Sequence, residues 1–283
     1  MQGQARAPAA GTVLNALATG TGSAFAIDEY VSATVTLESA SGVDGRISGA
    51  PDADTELIER CVELVVERYG DGQGGIVETE SEVPLAAGLK SSSAAANATV
   101  LATLSALDAM AALDPIDAAR LGVEAARDAG VTITGAFDDA SASMLGGVTV
   151  TDNEADELLE REPVDWDVLV WTPPERAYSA DADVDRCRRI APIADLIADV
   201  ALDGDYGRAM SVNGLAFCSA LDFPTEPIIE ALPTANGASL SGTGSSYTAV
   251  GNRTALEQIA KRWRERDGDT WFTSTQTAGA TVT

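Results

Sequence analysis

The chain has 283 residues, 45% of them hydrophobic, and a formal net charge of −26. That length can bury a sizeable core in one large or two moderate domains, and the apolar content excludes disorder over most of it. The charge excludes nucleic acid as a partner, because phosphate backbones need a basic surface.

No apolar run reaches the roughly 20 residues that span a bilayer. Met1 to Pro8 lack the basic flank and apolar stretch of a signal peptide, so a cytoplasmic protein with no membrane partner is expected. Cys61, Cys187 and Cys218 are scattered, which fits a reducing compartment and argues against zinc. There is no histidine, which removes Ser-His-Asp and Cys-His sites and His-ligated metal centres. Only two lysines occur, Lys90 and Lys261, so carboxylates lead as candidate general bases. Acid spread along a lysine-poor chain reads as adaptation to a salt-rich cytoplasm, where self-repulsion is screened.

In chain order, residues 5–17 read as an interrupted strand and Gly20-Thr21-Gly22-Ser23 as a turn. Residues 30–37 alternate as a strand, and 54–69 carry apolar residues at helical spacing. A glycine-rich connection (70–75) and a short strand (76–83) follow. Residues 92–110 and 116–129 read as helices separated at Asp114-Pro115. A short helix starts after Gly135 and stops at Gly146-Gly147, before a strand at 148–151. Residues 152–165 read as an acidic link, which places the domain boundary between 1–155 and 156–283. Beyond it, 166–171 read as a strand, and 190–202, 207–220 and 226–232 as helices. Short strands at 238–240 and 247–250 flank a glycine loop, ahead of a helix at 254–266 and a strand at 270–274. Strands and helices mixed without regular βα alternation indicate an α+β fold.

Gly70-Asp71-Gly72-Gln73-Gly74-Gly75 matches G-x-G-x-x-G as a string. It follows a helix and precedes a strand, the reverse of the dinucleotide-binding context. No G-x-x-x-x-G-K-[ST] is present, so no P-loop is expected.

The chemically informative stretch is Pro84-Leu85-Ala86-Ala87-Gly88-Leu89-Lys90-Ser91-Ser92-Ser93-Ala94. A glycine turn runs into three serines at a helix start, where unpaired N–H groups and the helix dipole favour an anion. That is a phosphate cradle, or else a serine N-cap on an ordinary helix. A second glycine loop, Ser241-Gly242-Thr243-Gly244-Ser245, either packs against the first or forms only a tight hairpin.

Three blocks in order resemble the GHMP superfamily of small-molecule kinases (galactokinase, homoserine kinase, mevalonate kinase, phosphomevalonate kinase). They are Ala7-Pro8-Ala9-Ala10-Gly11, the Pro84 to Ala94 stretch against P-x-x-x-G-L-G-S-S-A, and the second glycine loop. Lys90 and Ser93 depart from the general pattern. The variant Gly88-Leu89-Lys90-Ser91-Ser92-Ser93-Ala94 is similar to the archaeal-type shikimate kinases. So are residues 18–28 and Thr134-Gly135-Ala136-Phe137-Asp138-Asp139-Ala140.

The resemblance implies a two-domain GHMP kinase fold, with an N-terminal half like ribosomal S5 domain 2 and a ferredoxin-like C-terminal half. It implies ATP and Mg²⁺ as cofactors and phosphorylation of the 3-hydroxyl of shikimate in aromatic amino-acid biosynthesis. A kinase of another small alcohol and a non-catalytic metabolite sensor are the alternatives. By the resemblance, Pro84 through Ala94 with Gly242, Thr243, Gly244 and Ser245 bind the nucleotide, and Ser91 and Ser92 hold the metal. Asp138 matches the aspartate near the attacking hydroxyl, and Asp139 is a helix cap or magnesium neighbour. Both acids are otherwise N-cap residues of a short helix. Lys90 contacts phosphate or the substrate carboxylate, or is a solvated side chain at the helix start. Arg6 is a candidate for the carboxylate, since its fork suits bidentate pairing.

Overall fold

The computed structural model describes residues 1–39, 41–175 and 182–283. Its first sheet is built on β1 (Gln2–Leu14) and β2 (Thr21–Glu38), paired antiparallel from Gln2 to Leu14. β2 is long enough to serve two partners. Its second half pairs β4 (Gly74–Ser81), and residues 21–25 pair β5 (Val148–Asp152). The expected turn over Gly20 to Ser23 is therefore mostly strand; the turn itself lies at residues 16–20.

β3 (Val43–Ile47) runs parallel to β4 at one edge. β6 (Glu157–Glu162) pairs β5. The expected acidic link thus holds a strand whose charged side chains face solvent, and the boundary after residue 155 falls inside the β5–β6 hairpin. At the far end, β11 (Thr281–Val282) returns from the C-terminus to pair β1.

Four helices cover one face of this sheet: α1 (Glu56–Tyr69), α2 (Ser91–Ala106), α3 (Pro115–Asp128) and α4 (Phe137–Leu145). α2 is central and buried on most faces from Ala94 to Ala106, so its alanines serve close packing. At Gly3 on β1, a methyl group would fall on the Ala102 carbonyl oxygen, so glycine permits that approach. α2 ends earlier than its sequence suggests, because Leu107 and Asp108 leave the helix and Asp108 adopts a positive φ of 53°.

Among the described residues the second sheet has four antiparallel strands: β7 (Asp167–Thr172), β8 (Gly237–Leu240), β9 (Tyr247–Gly251) and β10 (Asp269–Ser274), in the order β10-β7-β9-β8. Helices α5 (Val184–Arg188), α6 (Ala191–Leu202), α7 (Tyr206–Leu221) and α8 (Glu226–Ala231) separate β7 from β8, and α9 (Arg253–Trp263) separates β9 from β10. This is the split βαβ arrangement of ferredoxin-like sheets. The two sheets share a core in which Phe25 meets Trp166 edge-on, ring centroids 6.0 Å apart, and Trp166 meets Tyr206. Where they join, the mouths of β1, α2, α4 and the β8–β9 loop surround one cleft.

Candidate active site

The cleft has a volume of about 450 Å³, within the range of about 300–1,000 Å³ common for ligand sites. One end is apolar, walled by Val31, Ile47, Leu57 and Ile58, with Thr79 and Ser81 beside them. The other end is polar and holds Lys90, Ser91, Ser92, Asp138, Asp139, Gly242 and Thr243.

The polar end owes its shape to the β4–α2 loop. Ala86, Gly88 and Lys90 all have positive φ (56°, 79° and 63°). That alternation curls successive amides toward one side, the pattern of an anion-binding nest. Two of the three are not glycine, and such conformations cost about 1–3 kcal/mol each and concentrate at functional sites. Lys90 occupies the N-cap position with no side-chain cap, and Ser91 is the first helical residue. The serine N-cap reading is thereby replaced. Among the described residues, no hydrogen bond engages the N–H groups of Ser91, Ser92 or Ser93. These amides stand at the positive end of a buried helix.

The second glycine loop packs directly on the first. Ser241 Oγ donates to the Gly88 carbonyl at 2.8 Å, and the Ser246 amide donates to the Ala87 carbonyl at 3.1 Å. The Gly242 amide donates to Thr12 Oγ1 on β1, and Asn15 Nδ2 donates to the Gly242 carbonyl. A methyl group at Gly88 would fall on the Ser241 carbonyl oxygen, so the contact needs glycine on steric as well as conformational grounds.

The residues expected from sequence divide into two groups here. Leu85, Ala86, Gly88, Lys90, Ser91, Ser92, Asp138, Asp139, Gly242 and Thr243 line the cleft. Ala87, Leu89 and Ala94 are core residues, and Pro84 is exposed at the loop's start. Ser93 faces a smaller hollow between α2, α3 and α4. Gly244 packs on the Phe223 ring, and the Ser245 hydroxyl donates to the Glu175 carbonyl. None of those seven lines the cleft.

The two aspartates differ sharply. α4 begins after Ala136, and neither carboxylate caps it, so the N-cap reading of the pair is overturned. Asp139 forms an ion pair with Lys90, Nζ to Oδ1 2.8 Å, with side chains 9% and 14% exposed for Lys90 and Asp139. Burial, and then the adjacent Asp138 charge, push the Asp139 carboxyl above its ordinary range, and Lys90 pulls it back. Lys90 is therefore not a solvated side chain; its Nζ is held between α4 and Gly242.

Asp138 is 4% exposed. Its Oδ1 accepts from Asn153 Nδ2 at 2.7 Å. Among the described residues no hydrogen bond engages its Oδ2, which lies beside Gly22 on β2. A methyl group there would sit 2.5 Å from that oxygen. Arg6 is removed from the site: it lies on the exposed face of β1, its guanidinium 4.4 Å from the centre of the Tyr30 ring.

The residues missed by sequence reasoning are Asn153, Gly22, Asn15 and the apolar wall that includes Ile47. Ile47 lies on β3, a strand too short and polar to stand out. Asn153 sits at the edge of an acidic segment with no local signal.

Residues 56–147 match the family model "GHMP kinases N terminal domain". Over its full length the chain is 66% identical to a shikimate kinase of Halobacterium salinarum, covering 100% of both. The chain belongs to the GHMP kinases, in the branch of these archaeal shikimate kinases. A shikimate kinase of Methanosarcina acetivorans is 50% identical over 93% of the chain and 89% of its own length. Among solved structures, a homoserine kinase from Cytophaga hutchinsonii superposes with a TM-score of 0.78 at 19% identity, covering 100% of this chain and 97% of that one. A mevalonate kinase from Methanococcus jannaschii gives 0.77 at 14% identity, covering 98% of each. The fold is thus the GHMP kinase fold, as the motif blocks suggest.

Proposed function

We propose that this protein transfers the γ-phosphoryl group of ATP to the 3-hydroxyl of shikimate, giving shikimate 3-phosphate and ADP on the route to aromatic amino acids. The observation that carries the reading is the convergence, in one cleft, of a helix N-terminus with no side-chain cap and an aspartate with one carboxylate oxygen that no hydrogen bond engages among the described residues. The full-length likeness to named shikimate kinases supports the choice of acceptor.

The apolar end of the cleft takes the purine, and the amides from Ala86 to Ser93 take the triphosphate. Mg²⁺ prefers hard oxygen donors and binds through one or two protein groups plus substrate phosphates. The Ser91 and Ser92 hydroxyls at the cradle mouth fit that demand. Held there, the ion would supply positive charge to offset the charge that develops on the transferring phosphoryl group.

Asp138 Oδ2 accepts a hydrogen bond from the acceptor hydroxyl and aims its oxygen at the γ-phosphorus. As the new P–O bond forms and the bond to the ADP oxygen breaks, the hydroxyl proton passes to Asp138. Lys90, tied to Asp139, stands where a transferring phosphoryl group or the substrate carboxylate would come.

The test is ADP release with MgATP in molar KCl against shikimate, homoserine and mevalonate. Release with shikimate alone is expected. Release with another of the three reassigns the acceptor, and ATP binding without release reassigns the protein as a sensor.

A further inference from the structure

Asp138 lies on a short helix whose start, Ala136, is itself in a left-handed conformation (φ 53°). Such a helix start does not by itself fix the carboxylate to the fraction of an ångström that phosphoryl transfer needs. The residue that does so is outside the helix.

Asn153 follows β5 directly and is 1% exposed. Its side-chain amide takes hold of Asp138 at two points. Nδ2 donates to Asp138 Oδ1 at 2.7 Å, and Oδ1 accepts from the Asp138 backbone N–H at 3.0 Å. A backbone N–H can only donate, so the oxygen must face it and the NH₂ must face the carboxylate. The amide's remaining capacity is used as well. Thr151 Oγ1 donates to Asn153 Oδ1 at 2.8 Å, and Nδ2 reaches Thr134 Oγ1 at 3.4 Å.

The Asn153 backbone is equally fixed. Its N–H donates to the Gly20 carbonyl at 2.9 Å, and its carbonyl accepts from Arg127 Nη2 at 3.2 Å. Arg127 is in turn held by both oxygens of Asp156, at 2.6 and 2.8 Å. The clamp is therefore anchored in the turn before β2, in β5 and in α3 as well as α4.

We propose that Asn153 is a positioning residue for phosphoryl transfer: its neutral amide occupies Asp138 Oδ1 and turns Oδ2 toward the acceptor hydroxyl. This rests on the reading of Asp138 as the acid that engages the alcohol. A neutral donor orients the carboxylate without cancelling its charge. The neighbouring Asp139 has a cation as its partner instead. Two adjacent acids thus receive different partners, a neutral amide for Asp138 and a cation for Asp139.

The experiment compares Asn153→Ala, the isosteric Asn153→Asp, Asp138→Asn and the double variant Asp138→Asn/Asn153→Ala. Melting temperature, ATP affinity by calorimetry, kcat, KM for the acceptor and the pH profile of kcat are measured for each. Asn153→Ala is expected to lower kcat by about 10²-fold with ATP affinity unchanged. Asn153→Asp puts a second carboxyl at hydrogen-bond distance, so the acidic limb of the kcat profile moves to higher pH. The double variant is no slower than Asp138→Asn alone, because Asn153 acts through Asp138.

If Asp138→Asn keeps near-normal kcat, the reading of Asp138 fails, and the role of Asn153 with it. If Asp138→Asn is inactive while Asn153→Asp, folded, keeps both its kcat and its pH profile, the Asn153 proposal alone is overturned. A fall in melting temperature with kcat and pH profile intact reduces Asn153 to a structural residue. Should Asn153→Ala not fold, the isosteric variant decides by the same two readouts.

Discussion

Lys90, at the N-cap of α2, and Asp139, in the first turn of α4, meet at 2.8 Å and join the two helices that frame the polar end of the cleft. A cation at a helix N-terminus is opposed by the helix dipole. Here the carboxylate of a second helix offsets that cost, and the pair is nearly shut off from water.

The pair makes a pH prediction. Burial and Asp138 raise the Asp139 carboxyl above its unfolded value, with Lys90 opposing, and that unfolded value is about 3.9. In the window between the two values the native state holds a proton that the unfolded chain has released. The contribution of Asp139 to stability therefore falls as pH rises through that window. Denaturant melts of wild type and Asp139→Asn, taken in constant KCl, are expected to show the wild type losing ground to the variant as pH climbs above about 4. A difference that moves the other way means Lys90 outweighs burial and Asp138 together.

Asp138→Asn tests the chemistry. It keeps the shape and removes the charge that receives the hydroxyl proton. We expect kcat to fall by about 10²–10⁴-fold, the usual worth of a positioned base, with ATP affinity little changed. Near-normal turnover discards the assignment.

The sequence made the loop proposed to hold phosphate legible because it is local: a turn, a run of hydroxyls and a helix start lie within one short stretch. The short α4 was legible from Gly135 and the Gly146-Gly147 stop. The choice between Asp138 and Asp139 was open in the sequence, because it depends on partners brought from elsewhere, Lys90 from one loop and Asn153 from the end of β5. Arg6 illustrates the same limit. Strand register, not proximity in sequence, puts its side chain on the solvent face, over Tyr30. β6 was hidden because it lies in an acidic stretch and most of its own side chains are charged; its place in the sheet comes from pairing with β5.

Gly22→Ala is a steric test of the same oxygen. The added methyl would lie 2.5 Å from Asp138 Oδ2, inside van der Waals contact, so the carboxylate or the strand must shift. Gly22 does not have a positive φ, so the backbone itself tolerates alanine. We expect a folded protein with kcat lowered by about tenfold or more, since misplacement by an ångström costs up to about 10²-fold, and with ATP affinity retained. Unchanged kcat would show that Oδ2 does not face the acceptor.

Gly88→Ala tests the junction of the two glycine loops. Its φ of 79° disfavours any side chain, and the methyl would meet the Ser241 carbonyl. The loops must part, which breaks the Ser241 to Gly88 hydrogen bond and opens the nest. Calorimetry is expected to show ATP affinity reduced by more than tenfold, with the melting temperature also lowered. Wild-type affinity would mean that the cradle does not hold the triphosphate.

The last prediction concerns salt. The net charge of −26 belongs to a chain with only 18 basic residues, and many of its arginines pair with nearby acids. β6 alone presents Glu157, Glu160 and Glu162 on one short exposed strand. At 0.1 M salt the screening length is about 10 Å, so such charges repel across the surface, whereas at 1 M it is about 3 Å and the repulsion is confined to neighbours. The ion pairs lost to screening are mostly exposed and individually worth little, about 0–1 kcal/mol, so the relief of repulsion wins. The melting temperature is therefore expected to rise steadily from dilute buffer to molar KCl. Replacing Glu157 and Glu160 with glutamine should shrink that rise by lessening the charge to be screened. A melting temperature indifferent to KCl would show that the acidic surface serves solubility alone.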